Sequence, residues 1–114
     1  MNKDSRYLYE GMYIFTGTLS EDATKKAIER ITSSIEEKGG EIHKVLNQGR
    51  RKLAYEINNM RQGYYAIVYF SVEGQHIPEM WKEYHLNEDL LRYITLRIEK
   101  IGPHLEIKPL KAHQ

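Results

Sequence analysis

The spacing of hydrophobic and polar residues along the chain predicts a series of β-strands and α-helices. Residues 7–15 are rich in tyrosine and show no helical period, which predicts a first strand. Ser20 can cap a helix that ends at Lys38-Gly39-Gly40, with a cation and glycines at its C-terminus. The apolar stripe predicted for this helix consists of Ala27, Ile28, Ile31 and Ile35.

The middle of the chain predicts two more strands. The first runs from about Glu41 to Ile57, and Asn47-Gln48-Gly49 within it indicates a bend or a bulge. Residues 58–62 form a polar connection, and residues 63–72 are apolar on both faces, which is typical of a central strand.

A second helix and a last strand complete the pattern. Residues 73–75 form a turn, and Pro78 lies in the first turn of the helix, where its missing amide costs nothing. The inner stripe of this helix is predicted to be Ile77, Met80, Trp81 and Tyr84. Residues 87–89 break the helix, and residues 91–98 alternate as a fourth strand.

The element order is therefore β-α-β-β-α-β, which predicts an α+β fold of the ferredoxin-like, split βαβ class. We expect a four-stranded antiparallel sheet with both helices on one face and the other face open. At 114 residues the chain is expected to form a single domain, 1–114, with a core at about 7–100 and an irregular tail at 101–114.

The alternation of the fourth strand divides its side chains between the two faces of the sheet. We expect Ile94, Leu96 and Ile98 to pack under the helices. Tyr93 and Arg97, with Thr95 between them, would then lie on the open face. Aromatic and cationic side chains on an open sheet suit RNA, although they are also found on ordinary solvated sheets.

Composition narrows the class of protein. The chain has no cysteine, which excludes disulfides and thiolate chemistry and fits a reducing compartment. Its N-terminus lacks the apolar region of a signal peptide, and no apolar run is long enough to cross a membrane. We therefore expect a cytoplasmic protein. The formal net charge is only +1, so any nucleic acid would be bound by a local patch, with a partner supplying further charge.

The segment Gly49 to Ile57 is the clearest candidate for such a patch. Arg50, Arg51 and Lys52 lead directly into a strand pattern that carries Tyr55. Cations fixed in a sheet beside an aromatic ring suit a sugar-phosphate backbone and stacked bases, whereas a short basic run can also be a solvated surface.

Catalysis is not expected from this sequence. The five histidines are far apart, with no metal-ligand spacing, and none of the phosphate-binding or nucleophile motifs occurs. We expect no cofactor, no metal and no small-molecule substrate. The RNA recognition motif has the same topology, but Gln62-Gly63-Tyr64-Tyr65-Ala66-Ile67-Val68-Tyr69 matches its third-strand pattern only in part. It stays open as an alternative, as does a ferredoxin-like protein-interaction module that associates through its sheet.

The segment Arg51-Lys52-Leu53-Ala54-Tyr55-Glu56-Ile57 resembles a motif of bacterial small-subunit ribosomal protein six. Tyr9-Glu10 near the start, Gly63-Tyr64 and Asn87-Glu88-Asp89-Leu90-Leu91-Arg92 agree with the same family, so the resemblance spans about residues 7–100. Glu56 departs from the family pattern, which usually has proline at this position.

The resemblance implies a structural component of the small ribosomal subunit, located on a cytoplasmic or organellar ribosome. It would bind the central domain of small-subunit ribosomal RNA as a heterodimer with ribosomal protein eighteen. On this basis we expect RNA contacts from Arg50, Arg51, Lys52, Arg92 and Arg97. Tyr55 and Tyr93 would face the RNA or the protein partner.

Overall fold

The computed structural model describes residues 6–102, and its elements follow the predicted order. They are β1 (Arg6–Thr16), α1 (Glu21–Glu37), β2 (Glu41–Ile57), β3 (Met60–Glu73), a short 3₁₀ turn (Gly74–His76), α2 (Ile77–Leu86) and β4 (Leu90–Ile98). The four strands form one antiparallel sheet in the order β2-β3-β1-β4, which confirms the predicted fold class. Most of the predicted tail, from residue 103 onward, lies outside the described residues.

Local sequence explains where α1 begins and ends. The Oγ of Ser20 accepts a hydrogen bond of 3.0 Å from the amide of Ala23, as a helix N-cap should. Glu21 and Asp22 occupy the first turn, where the helix dipole favours negative charge. The helix is followed by Gly39, whose φ of +83° is available to glycine at little cost.

The layer between the sheet and the helices combines aliphatic side chains with a set of aromatic rings. The buried cluster on this side contains rings from β1, β3 and α2: Tyr9, Tyr13, Phe15, Tyr64, Phe70 and Tyr84. At its centre the hydroxyls of Tyr13 and Tyr84 are hydrogen-bonded at 2.8 Å. Burial raises the pKa of Tyr13 well above its usual value and also raises the pKa of Tyr84, so the pair stays neutral.

A second, smaller apolar cluster lies on the face of the sheet that carries no helix. It is formed by Ile14, Leu53, Ile57 and Tyr65. The β2–β3 hairpin contributes three of these residues, and its turn is made by Asn58 and Asn59, both with positive φ. Such a turn matches the twist of the two strands it joins. The hairpin is tighter than the predicted polar connection, because β3 begins at Met60.

The expected orientation of β4 is wrong. Tyr93 packs edge-on against Tyr84 of α2, and the guanidinium of Arg97 lies over the ring of Tyr7, which belongs to the helix-side cluster. Ile94 instead packs in the cluster on the opposite face, and Leu96, two residues further, is 45% exposed there. The reason is that aromatic rings from β1 and β3 fill the helix side, so the aliphatic residues of β4 remain for the open face.

Trp81 also differs from expectation. The buried residues of α2 are Ile77, Met80 and Tyr84, whereas Trp81 is 44% exposed. Ile77, Met80 and Tyr84 follow the spacing i, i+3, i+7 of a narrow stripe, and Trp81 lies one step to its side.

Candidate nucleic-acid interface

The cations of β2 lie on an edge strand and alternate between the two faces of the sheet. Arg50 pairs with Tyr64 of β3, which faces the helices. Arg51 pairs with Gly63, where an added Cβ would meet Ile14 and so would point to the open face. The side chains of the three consecutive cations therefore point alternately to the two faces at this edge of the sheet and do not share one face.

The predicted bulge lies just ahead of these cations. The pairing of β2 with β3 shifts between Asn47 and Gly49, and Gly49 has a φ of +79°. The Oδ1 of Asn47 accepts a hydrogen bond of 3.1 Å from the amide of Gly49, which holds the bulge. An open groove of about 480 Å³ lies between this bulge and α1, with Lys25 and Arg50 among its lining residues. The bulge thus directs the basic segment along the rim of the domain.

Arg50 is tied to the protein itself. Its guanidinium lies 5.0 Å from the ring centroid of Tyr64 and donates a hydrogen bond of 2.7 Å to the hydroxyl of the same residue. It also reaches the carbonyl of Leu19, in the loop before α1, at 3.5 Å. Arg50 therefore joins β2, β3 and this loop, and only part of its donor set points outward.

Arg51 and Lys52 are exposed. The Nε of Arg51 donates to the carbonyl of Gln48 at 3.3 Å, which limits the movement of the guanidinium. Burial raises the pKa of the nearby Tyr65 hydroxyl, and the positive charge of Arg51 works against that rise. A cation that is exposed, charged and held by the backbone is suited to a phosphate contact.

Tyr55 lies beyond these cations on the hairpin and is 54% exposed. Next to it, the carboxylate of Glu56 accepts a bond of 3.1 Å from Arg61 across the hairpin. Glu56 stands where the resemblance leads us to expect proline, and this ion pair gives the residue a local role in the two strands.

The predicted site residues fall into two groups at opposite edges of the sheet. Arg50, Arg51, Lys52 and Tyr55 belong to β2, at one edge, and Arg92, Tyr93 and Arg97 belong to β4, at the other. Within β4, Arg92 pairs with Ile14 on the open-face side, whereas Tyr93 and Arg97 point toward the helix side. The seven residues therefore do not form one patch.

Sequence reasoning missed Trp81 as an exposed aromatic residue. Its indole Nε1 donates a hydrogen bond of 3.1 Å to the Oγ1 of Thr95, so the ring lies beside β4. The sequence feature that indicates partial exposure is the position of Trp81 at the border of the apolar stripe of α2, where a side chain can be half exposed.

The rings of β3 do not offer the stacking surface of an RNA recognition motif. Tyr64 faces the helices, and Tyr65, on the opposite face, is buried within the second apolar cluster. Neither ring can stack on a base in this conformation.

Residues 6–102 contain neither a cluster of metal-binding side chains nor a membrane-spanning helix. No group of three or more His, Cys, Asp or Glu side chains in this range could hold a metal ion. No helix in this range is long and apolar enough to span a membrane.

Comparisons with known proteins agree on one family. The family described as Ribosomal protein S6 matches residues 8–97 of this chain. The small ribosomal subunit protein bS6 of Chlamydia pneumoniae is 54% identical over 110 residues, which cover 96% of this chain and 98% of the relative. The bS6 protein of Protochlamydia amoebophila is 50% identical over 114 residues and covers 100% of both chains. The crystal structure of 30S ribosomal protein S6 from Thermotoga maritima superimposes with a TM-score of 0.78 at 34% identity, covering 82% of this chain and 88% of that one.

Proposed function

This chain belongs to the ribosomal protein S6 family, and on that premise we propose that it binds the central domain of small-subunit ribosomal RNA together with ribosomal protein eighteen. Family membership itself makes the protein a component of the small subunit of the bacterial cytoplasmic ribosome. It is a structural protein and not an enzyme. The RNA domain, the protein partner and the contact residues are the proposal.

The observation that carries the RNA contact is the exposed pair Arg51 and Lys52 on the edge strand β2, in which Arg51 is held by its hydrogen bond to Gln48. Ribosomal RNA presents closely spaced phosphates, and cations that bind them release condensed counterions. Tyr55, further along the same hairpin, adds an exposed ring. Arg50 supports this surface chiefly by holding β2 against Tyr64, and Arg92 and Arg97 extend the contact to the β4 edge.

The protein partner is supported by charge and by the open face of the sheet. A net charge of +1 is low for a protein that binds RNA alone, so a basic partner would supply further phosphate contacts. The open face carries the exposed Leu96 beside the half-buried Ile94 and Ile98, and it has no helix of its own to cover it. Such an apolar surface is suited to a protein partner.

Binding to a central-domain fragment of small-subunit ribosomal RNA, with and without ribosomal protein eighteen at several salt concentrations, tests the proposal. We expect tight binding only with the partner, and a steep loss of affinity as salt increases. Arg51→Gln or Lys52→Gln should each reduce the slope of log K against log salt by about 0.7–0.9, because one phosphate contact is lost.

The matched control is Lys26→Gln, an exposed cation of α1, which should leave the slope unchanged. If Arg51→Gln changes neither affinity nor slope, Arg51 is not an RNA contact. Equal binding to arbitrary single-stranded RNA without the partner would favour the RNA recognition mode instead. A stable homo-oligomer with no RNA binding would favour the protein-interaction module.

A further inference from the structure

We propose that Trp81 is a base-stacking residue, which receives an unpaired base of ribosomal RNA at the β4 edge of the domain. The inference rests on the proposed RNA-binding function and adds to it a residue of α2. It replaces Tyr93 by Trp81 as the aromatic residue that contacts RNA at the β4 edge.

The exposure of Trp81 is unusual for this residue type and is combined with a fixed position. The side chain is 44% exposed, although tryptophan is normally among the more buried residues. Its one polar atom, Nε1, already donates to Thr95 at 3.1 Å. The exposed surface of the side chain is therefore hydrocarbon ring that needs no hydrogen bond, held at a defined place beside the strand. A preorganised aromatic surface is what base stacking requires.

Tyr93 is poorly suited to the same role. Its ring packs edge-on against Tyr84, with the ring centroids 5.2 Å apart, and it borders the buried cluster on the helix side. A base could reach its ring only by displacing part of this packing. Trp81 lies on the outer side of the same helix and keeps almost half of its surface accessible.

The charges around Trp81 favour a polyanion over a protein partner. β4 carries two arginines and no acidic residue between Leu90 and Ile98. Arg97 lies two residues beyond Thr95 on the same side of the strand, about 7 Å along it. The two acids of α2 are already paired, since Glu79 bonds His76 and Glu83 bonds Lys38, each at 2.6 Å. A base on Trp81 would thus have a cation nearby for its phosphate.

Fluorescence provides a direct test, because Trp81 is the only tryptophan in the chain. The intact protein is titrated with the central-domain RNA fragment and ribosomal protein eighteen, and quenching of Trp81 emission by acrylamide is measured. Trp81→Phe serves as the spectral blank. We expect RNA to quench the emission and to protect the remainder from acrylamide.

Affinity measurements complete the test. Trp81→Ala should weaken RNA binding by about 5- to 150-fold, the range measured for losing one stacked base. Trp81→Phe should retain most of the affinity. Leu86→Ala, an exposed apolar residue of the same helix, is the matched control and should change nothing. Thermal unfolding of each variant verifies that the fold is intact.

Each remaining outcome overturns the inference in a recognisable way. If RNA binds with full affinity while Trp81 emission and acrylamide access stay unchanged, Trp81 does not stack, and the proposed function stands. If ribosomal protein eighteen protects Trp81 without RNA, the residue belongs to a protein interface. If no RNA binds the wild-type protein in any mixture, the proposed function fails together with this inference.

Discussion

The hydroxyl groups of Tyr13 and Tyr84 are buried in the core, where neither can form a hydrogen bond to water. Tyr13 is 1% exposed, and its hydroxyl bonds that of Tyr84 at 2.8 Å. Burial raises the pKa of both groups, so neither ionises near neutral pH. Each hydroxyl therefore depends on the other, and the two residues tie β1 to α2.

The stability losses from removing the two hydroxyls should not be additive. Tyr84→Phe leaves the Tyr13 hydroxyl buried without this partner, which we expect to lower the free energy of unfolding by about 1–3 kcal/mol. In the double variant Tyr13→Phe/Tyr84→Phe no unpaired hydroxyl remains, so the loss should be smaller than the sum of the two single losses. Urea denaturation of the four proteins measures this coupling. Strictly additive losses would mean that the two hydroxyls do not act as a pair.

At the scale of elements, the two helices are linked by one ionic contact. Lys38, just after α1, bonds the carboxylate of Glu83 in α2 at 2.6 Å, and Ser34 donates to the same carboxylate. Burial alone would raise the pKa of Glu83, but these hydrogen bonds and the charge of Lys38 hold it below its ordinary value of 4.5. Glu83 therefore contributes stability above pH 4.5, and this contribution is lost as the pH falls through the lowered pKa.

Glu83→Gln should accordingly destabilise the protein at neutral pH and not in acid. We expect a loss of about 0.5–1 kcal/mol at pH 7, since the carboxylate is half exposed and solvent screens the pair. The difference from the wild type should shrink below pH 4.5. Chemical denaturation at several pH values checks this, with Glu88→Gln, an exposed acid in the turn before β4, as control. A difference that persists unchanged at low pH would assign the loss to packing.

The sequence predicts the elements of this fold better than it predicts their orientation. Strand and helix periods, the Ser20 cap and the bulge at Asn47 to Gly49 are local features, and the structure confirms them. Which side of β4 faces the helices depends on how the rings of β1 and β3 fill the space beneath them, and both sides of β4 are apolar enough to serve. A strand whose two faces are both partly apolar does not reveal its direction. For the same reason the sequence does not decide whether Trp81 is buried, because its place beside the apolar stripe of α2 fits both a buried and a half-exposed ring.

For the molecule as a whole, charged and apolar side chains occupy different parts of the open face of the sheet. Cations border its two edges on β2 and β4, and apolar side chains, among them Ile14 and Tyr65, lie on the face between them. This division predicts that binding to the protein partner and binding to phosphate can be impaired separately.

Leu96→Asp should weaken association with ribosomal protein eighteen by at least tenfold, because it adds a charge to an apolar surface. Stability should change little, since Leu96 is already 45% exposed. Leu86→Asp is the matched control: this leucine is 77% exposed on α2, away from the open face, and its replacement should leave association intact. Calorimetric titration of the two purified proteins makes the measurement. Equal association of both variants would show that the partner does not use the open face.

Arg50, Arg51 and Lys52 lie on an outer strand, and this position also affects the free protein before it assembles with any partner. An outer strand has backbone groups that another strand could pair with, and two copies of the chain could join in this way. Three adjacent positive charges on β2 oppose such pairing, because a second copy would bring the same charges against them. If RNA binds these residues as proposed, it would neutralise the charges that oppose pairing only when it also covers the strand, so the exposed edge would be protected both before and after assembly.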